Sequence, residues 1–284
     1  MKAKQVFKSL LPPLVTETAK RFRGQTSRRP PDWELVPEGW GDEKTRKIKG
    51  WNVADVAEAY AAKWPQFIQS LESDAPFGVP VDSLTGEFDL AFHNTVMSFA
   101  HALATAARSA DRLTMLDWGG GFGHYNLIAR ALFPNVGLDY SCKDLPAMTE
   151  HGKRLTPEAQ FFSDDACFAR NYDFVMASTS LQYSEEWSEV AGQLARATKG
   201  FLFVTGLPMV LHSPCFVFVQ RAHAFGYNTE YLAWCFNRCR FLSVMTSFGL
   251  KLTREYQLGY RPAIHRAPEQ CEYRGYLFRS VTSR

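Results

Sequence analysis

The sequence predicts an α/β protein whose sheet is mostly parallel and covered by helices on both faces. Three observations carry this. From residue 113 to about 205, short apolar runs alternate with stretches of helical period, the rhythm of a parallel sheet with crossover helices. A glycine-rich turn at 119–123 joins the first of those runs to the helix after it. The chain then closes with two alternating stretches, 251–258 and 272–280, that read as an antiparallel hairpin. The 284 residues, 46% hydrophobic and 21% charged, suffice for one such domain plus an appendage and argue against wholesale disorder.

Residues 1–31 carry eight Lys and Arg against Glu17, a net +7 that leaves the remainder at −4. The mildly acidic body does not suggest a nucleic-acid partner. The basic segment also holds Val6, Phe7, Leu10, Leu11 and Leu14. Two readings stay open for it: a solvated tail, or a weak peripheral anchor on anionic lipid. No apolar run approaches a membrane span, and Pro12 and Pro13 interrupt the short apolar run that a secretory signal would need. The six scattered cysteines fit reduced thiols, so a cytoplasmic protein is expected, and the second reading of the basic segment would place it at the inner face of the membrane. No compact set of metal ligands is visible, and metal independence is expected.

Residues 24–50 are rich in Gly, Pro, Arg and Lys and read as linker and loop. A helix is expected from a cap at Asn52, with Val53, Val56, Ala57, Tyr60, Ala61 and Trp64 on one stripe and Pro65 ending or kinking it. A second helix, about 90–109, follows a loop at 73–89 and aligns Phe92, Val96, Phe99, Leu103 and Ala107. His93 and Asn94 lie in its first turn. The expected organisation is a basic segment and linker (1–50), a helical cap (51–110) and the sheet domain (111–284).

The organising stretch is 113–125. Leu113, Met115 and Leu116 form a buried strand, and Gly119, Gly121 and Gly123 let the backbone bend and approach a ligand. The helix after them carries Tyr125, Leu127, Ile128, Ala131 and Leu132 on one face and stops before Pro134. A dinucleotide fingerprint G-x-G-x-x-G would need its third glycine at 124, which is His. The spacing is D-x-G-x-G-x-G, from Asp117 to Gly123.

That pattern resembles the first motif of class I S-adenosylmethionine (SAM) methyltransferases. The resemblance implies that Asp117 helps hold the cofactor's ammonium group and that Gly119, Gly120, Gly121 and Gly123 pass under its methionine half. The second strand, 136–142, is followed by Lys143-Asp144-Leu145-Pro146. An acid at this strand end can accept from both ribose hydroxyls. Asp139 has the dinucleotide spacing, but Asp144 in its Asp-Leu-Pro setting resembles small-molecule O-methyltransferases and is favoured. After the third strand, 159–162, the resemblance implies that Asp164 or Asp165 accepts from the adenine amino group. The fourth strand, 172–178, ends at Ser178, the place that faces the transferred methyl in this family. The fifth, 201–205, leads to a segment at about 207–240 with an extended run at 216–219 and aromatic residues Phe225, Tyr227, Tyr231, Trp234 and Phe236, read as an insertion that covers the acceptor. A helix at 238–250 precedes the closing hairpin.

The expected fold is therefore a Rossmann-like class I methyltransferase sheet with an antiparallel C-terminal hairpin and an N-terminal helical extension. More narrowly, "LDWGGGFGHYNLIARALFP", "CKDLPAM", "SDDA", "MASTSLQYS" and "APEQCEYRGYLF" resemble a family of bacterial methyltransferases associated with surface-polysaccharide or lipopolysaccharide synthesis. The function implied is transfer of the SAM methyl to a small-molecule or glycan acceptor, a hydroxyl above all. An alcohol needs a proton acceptor, and the candidates are His212, His124 and Tyr183. Two alternatives stand beside it: a non-catalytic SAM- or nucleoside-binding scaffold in a biosynthetic complex, and a nicotinamide-dependent oxidoreductase.

Overall fold

The computed structural model describes residues 30–41, 48, 50–51, 54–74, 76–77, 89–108, 110–221 and 229–281. The basic segment 1–29, the cap expected at Asn52, and Phe225 and Tyr227 lie outside the described residues. Residues 32–284 form one compact unit. In chain order its elements are β1 (Trp33–Val36), α1 (Ala54–Glu72), α2 (Leu90–Ala107), β2 (Arg112–Trp118), α3 (His124–Leu132), β3 (Gly137–Lys143), α4 (Pro146–Leu155), β4 (Gln160–Phe162), β5 (Tyr172–Ser178), α5 (Trp187–Ala197), β6 (Thr198–Val210), β7 (Phe216–Arg221), β8 (Glu230–Asn237), α6 (Arg238–Ser247), β9 (Leu250–Gln257) and β10 (Glu272–Ser280).

Strands β2 to β6 are parallel in the order β4-β3-β2-β5-β6. The order reverses between β2 and β5, the point where open α/β sheets leave a crevice beyond their carboxyl ends. Strand β10 is inserted antiparallel between β6 and β9. The parallel core with an antiparallel closing hairpin is the Rossmann-like arrangement that the sequence predicts. Period-two alternation sends Leu113 and Met115 to one face, where they pack with Phe99 of α2 and Ile128 of α3. Leu116 goes to the other face, with Leu194 of α5 and Phe241 of α6.

Three expectations need correction. Residues 33–36, expected as linker, are strand β1, paired antiparallel with β7 in full register. Within the 207–240 segment, read as an insertion, the strands were not fully foreseen: β6 runs on to Val210, β7 and β8 form a hairpin, and β8 joins β6 in parallel at Met209 and Val210, which makes one ten-stranded sheet. Helix α1 continues through Pro65. The proline removes one helical hydrogen bond, and burial of Trp64 and Phe67 against the sheet domain offsets that loss. On α3 the buried face is Tyr125, Asn126, Ile128 and Ala129, while Ala131 is exposed.

Candidate functional site

Parallel register brings the predicted residues to one edge. Trp118 stands beside Lys143 and Ala177, Lys143 beside Phe162, and Ser178 beside Thr205. The glycine turn, Asp144, Asp164, Asp165 and Ser178 therefore all lie at or just beyond the carboxyl ends of their strands. Gly119 and Gly121 take the left-handed backbone, φ +75° and +59°, which side chains rarely adopt. A Cβ on Gly119 would stand 2.3 Å from the Ser180 Cβ, so the turn and the segment after β5 touch across the switch point. A Cβ on Gly121 would meet nothing nearer than the Met148 Cε at 3.7 Å.

Two carboxylates flank this turn. Asp117 is fully buried beneath it, and the Tyr140 hydroxyl donates to its Oδ2 at 2.5 Å. Its Oδ1 has no hydrogen-bond partner among the described residues. Burial raises the Asp117 carboxyl to about 7; the Tyr140 hydrogen bond works against the rise, and the neighbouring Asp144 adds to it. Asp144 accepts from the Gly121 N–H at 2.7 Å and from the Leu145 N–H at 2.6 Å. Burial raises its carboxyl too, against the pull of those two N–H groups and of Lys143. Asp139, the alternative for the ribose, lies opposite Thr114 near the start of β2 and pairs with Arg170 at 3.1 Å. It is remote from the carboxyl edge.

The remaining candidates separate. Asp164 caps the turn Asp165–Ala169 by accepting from the Ala166 N–H; Asp165 is exposed, 3.8 Å from the Lys143 Nζ. The Ser178 Oγ shares a hydrogen bond of 3.0 Å with the Tyr125 hydroxyl. His124 opens α3, its Nδ1 buried without a partner and its ring edge-on to Phe67 of α1. Burial lowers its pKa to about 4, so the ring is neutral near pH 7. Tyr183 turns toward the β7–β8 hairpin, where its hydroxyl donates to Gln220 Oε1 at 3.3 Å and its ring packs on Tyr231. His212 is exposed and seven residues beyond Thr205 on β6, up to about 23 Å along the strand. His93 and Asn94 bond to the Phe77 and Leu258 carbonyls.

Sequence reasoning missed Tyr140 and Tyr125, which bond to Asp117 and Ser178, as site groups. Tyr140 could have been found: period two places it on the face of Cys142, which the register sets beside Asp117. Among the described residues no three His, Cys, Asp or Glu side chains are placed to hold a metal ion, and no helix is long and apolar enough to cross a membrane.

No family model matches the chain, and no curated protein matches it. Solved structures do. Magnesium protoporphyrin IX methyltransferase from Synechocystis PCC 6803 with bound SAM is similar at 15% identity over 80% of this chain and 95% of that one, TM-score 0.49. The same protein with bound SAH is similar at 14% identity over 80% and 98%, TM-score 0.49. A Burkholderia thailandensis 1,6-didemethyltoxoflavin-N1-methyltransferase with bound 1,6-didemethyltoxoflavin and S-adenosylhomocysteine is similar at 14% identity over 66% and 79%, TM-score 0.44.

Proposed function

We propose that this chain transfers the methyl group of SAM to a hydroxyl of a small-molecule or glycan acceptor. The observation that carries the reading is the glycine turn at the switch point, with the buried Asp117 carboxylate beneath it, the half-buried Asp144 carboxylate beside it, and no atom closer than 3.7 Å to where a Cβ on Gly121 would stand. These residues fit the cofactor. The unpartnered Asp117 Oδ1 would take the ammonium group. Asp144 uses two of its roughly four lone-pair positions on N–H groups and keeps the others for ribose hydroxyls. Asp164 or Asp165 would take the adenine amino group.

SAM supplies a methyl carbon activated by an adjacent sulfonium. The chain's part is to align the acceptor oxygen with that carbon, exclude water and accept the hydroxyl proton. Of the three candidate bases, His124 is the one whose ring nitrogen is buried, unpartnered and next to the turn. Its low pKa makes it a weak base at pH 7. An acceptor from surface-polysaccharide synthesis, and a cytoplasmic protein working at the inner membrane face, complete the proposal.

Titration calorimetry of the full chain with SAM tests it, paired with methyl transfer from labelled SAM to extracted surface glycans. Asp117→Ala and Asp144→Ala should each weaken SAM at least tenfold. A folded wild-type chain that binds no SAM ends the reading. The scaffold alternative is favoured by one fact, the placement of Tyr183 and His212 away from the turn. SAM binding without transfer to any acceptor would select it.

A further inference from the structure

Tyr140 and Tyr172 are both fully buried on the sheet, yet they satisfy their hydroxyls differently. Tyr172 of β5 donates to the Cys167 carbonyl at 2.8 Å, a neutral partner that suits a core tyrosine. Tyr140 of β3 donates instead to a carboxylate, the Oδ2 of Asp117. Asp117 is itself fully buried, and the charged neighbour that acts on it, Asp144, carries the same sign. A buried carboxylate with no cation beside it is costly to a fold. Packing gives no reason to keep one at this position; binding a cation does.

The register explains how the two groups meet. Cys142 stands beside Asp117 and Tyr140 beside Met115, so Tyr140 and Asp117 share the face that lies under α3. The phenol ring passes below Gly123, where a Cβ would stand 3.6 Å from Tyr140 Cε1. Its hydroxyl ends below Gly120, where a Cβ would stand 2.5 Å from Asp117 Cγ and Oδ2 and 2.8 Å from Cys142 Sγ. The Oδ2 side of the carboxylate is thus enclosed by the bare backbone of Gly120, by Cys142 and by the Tyr140 hydroxyl. The turn above is held from the same side: the Thr156 hydroxyl donates to the Phe122 carbonyl at 2.7 Å, and the Gly123 N–H donates to the Gly120 carbonyl at 3.0 Å.

Oδ1 is what remains, buried and without a hydrogen-bond partner among the described residues. The two oxygens are chemically equivalent, and the terminal torsion of an aspartate is broad and roughly two-fold. The Tyr140 hydroxyl removes that freedom. If the carboxylate turned away, the phenol O–H would be left unpaired in the core, which is costly. The other polar groups near the pair are engaged elsewhere: Asp144 accepts from the Gly121 N–H, the Tyr125 hydroxyl bonds to Ser178, and the Cys142 thiol faces the Gly121 carbonyl at 3.7 Å.

We infer that Tyr140 is a positioning residue of the cofactor site: its hydroxyl pins the Asp117 carboxylate by Oδ2 and so presents Oδ1 to the ammonium of the amino-acid half of SAM. Tyr140 acts through Asp117 from below the turn. The inference rests on the methyltransferase reading and adds to it a residue that the motif spacing does not name.

S-adenosylhomocysteine (SAH) and 5′-methylthioadenosine separate positioning from packing, because the second ligand lacks the amino-acid half. Calorimetry of the full chain should show that Tyr140→Phe, which keeps the ring, weakens SAH about tenfold, the size of one lost hydrogen bond to a charged group. Methylthioadenosine should bind within twofold of wild type. In an Asp117→Asn background, Tyr140→Phe should change SAH affinity less than twofold, the mark of two residues acting as one unit. Where methylthioadenosine binds too weakly to titrate, this cycle decides alone. Unchanged SAH affinity in Tyr140→Phe overturns the inference. So does an equal loss for methylthioadenosine, which a loosened turn would give, or a tenfold loss that persists in the Asp117→Asn background. If Tyr140→Phe does not fold, 3-fluorotyrosine placed at position 140 replaces it. Its more acidic phenol is the stronger donor, so SAH should bind more tightly, and only where Asp117 is intact; weaker or unchanged binding overturns the inference. A wild type that binds neither SAH nor SAM overturns the underlying reading instead.

Discussion

Burial acts in opposite directions on the two titratable side chains that bracket the glycine turn. It raises Asp117 from 3.8 to about 7 and lowers His124 from 6.5 to about 4. The folded chain keeps a proton on Asp117 that the unfolded chain gives up. That contribution to stability is complete below about pH 4 and is lost as pH rises through about 7. The folded chain refuses a proton on His124 that the unfolded chain takes, so that contribution is complete above about pH 6.5 and is lost as pH falls through about 4. They are on the order of 4 and 3 kcal/mol, and between pH 4 and 6.5 the two slopes oppose. The wild type should therefore show a nearly flat guanidinium midpoint over this range. Asp117→Asn should leave a midpoint that rises with pH, and His124→Gln one that falls; three parallel profiles would refute the assignment. The ligand adds a second reading of the same charge. An ammonium beside Asp117 draws its pKa back down, so SAM binding near pH 6 should release about one proton, measured by calorimetry in two buffers of different ionisation enthalpy. Asp117→Asn should bind without that release. Asp117 was legible in the sequence because the motif spacing names it. Tyr125 was not, since its place in the site comes from a hydrogen bond to Ser178, 53 residues further along the chain.

At the scale of elements, the turn separates folding from binding. Both Gly119 and Gly121 hold a backbone that alanine adopts at a cost of about 1–2 kcal/mol. At Gly119 the new methyl also strikes the Ser180 Cβ, whereas at Gly121 it makes only an ordinary contact with the Met148 Cε at 3.7 Å. Gly119→Ala should lower the melting temperature by clearly more than Gly121→Ala, because overpacking adds roughly 1–3 kcal/mol. Gly121→Ala should still lose SAM affinity at least tenfold, because its methyl stands where the ligand would pass. The reverse order of melting temperatures would contradict the turn geometry; full SAM affinity in Gly121→Ala would move the ligand elsewhere. The parallel core and the closing hairpin were readable for a local reason: each strand and helix carries its own period, and the turn chemistry sits between them. Strand β1 was not. Its four residues lie between Pro31 and Pro37, which read as loop, and its partner β7 begins 180 residues after its last residue. Nothing local announces such a pair. The strand pairing inside the 207–240 segment was not readable for the same reason: its aromatic residues declare burial but not which sheet edge they extend.

For the molecule as a whole, the charge balance changes where the unit from Asp32 onward begins. The compact unit begins at Asp32, and the net +7 lies entirely before it. Trp33, at the start of β1, is 8% exposed and stacks on Phe218 at 5.2 Å, so the first residues of the unit are part of its core. Deleting residues 1–31 should accordingly leave the melting temperature within about 3 °C and SAM affinity unchanged. Deleting residues 1–40 removes β1 as well, and should cost roughly 3–5 kcal/mol, the usual loss for a truncated buried tryptophan. The basic segment then has a separable role. Each Lys or Arg near an anionic surface contributes about 1 kcal/mol of attraction, and Phe7, Leu10, Leu11 and Leu14 offer apolar anchorage. The full chain should co-sediment with phosphatidylserine-containing vesicles at low salt, release as salt is raised, and ignore vesicles of neutral phosphatidylcholine. The form lacking 1–31 should stay in the supernatant throughout. If both forms sediment alike, the segment is a solvated tail, and the chain must meet any membrane-borne acceptor by diffusion alone.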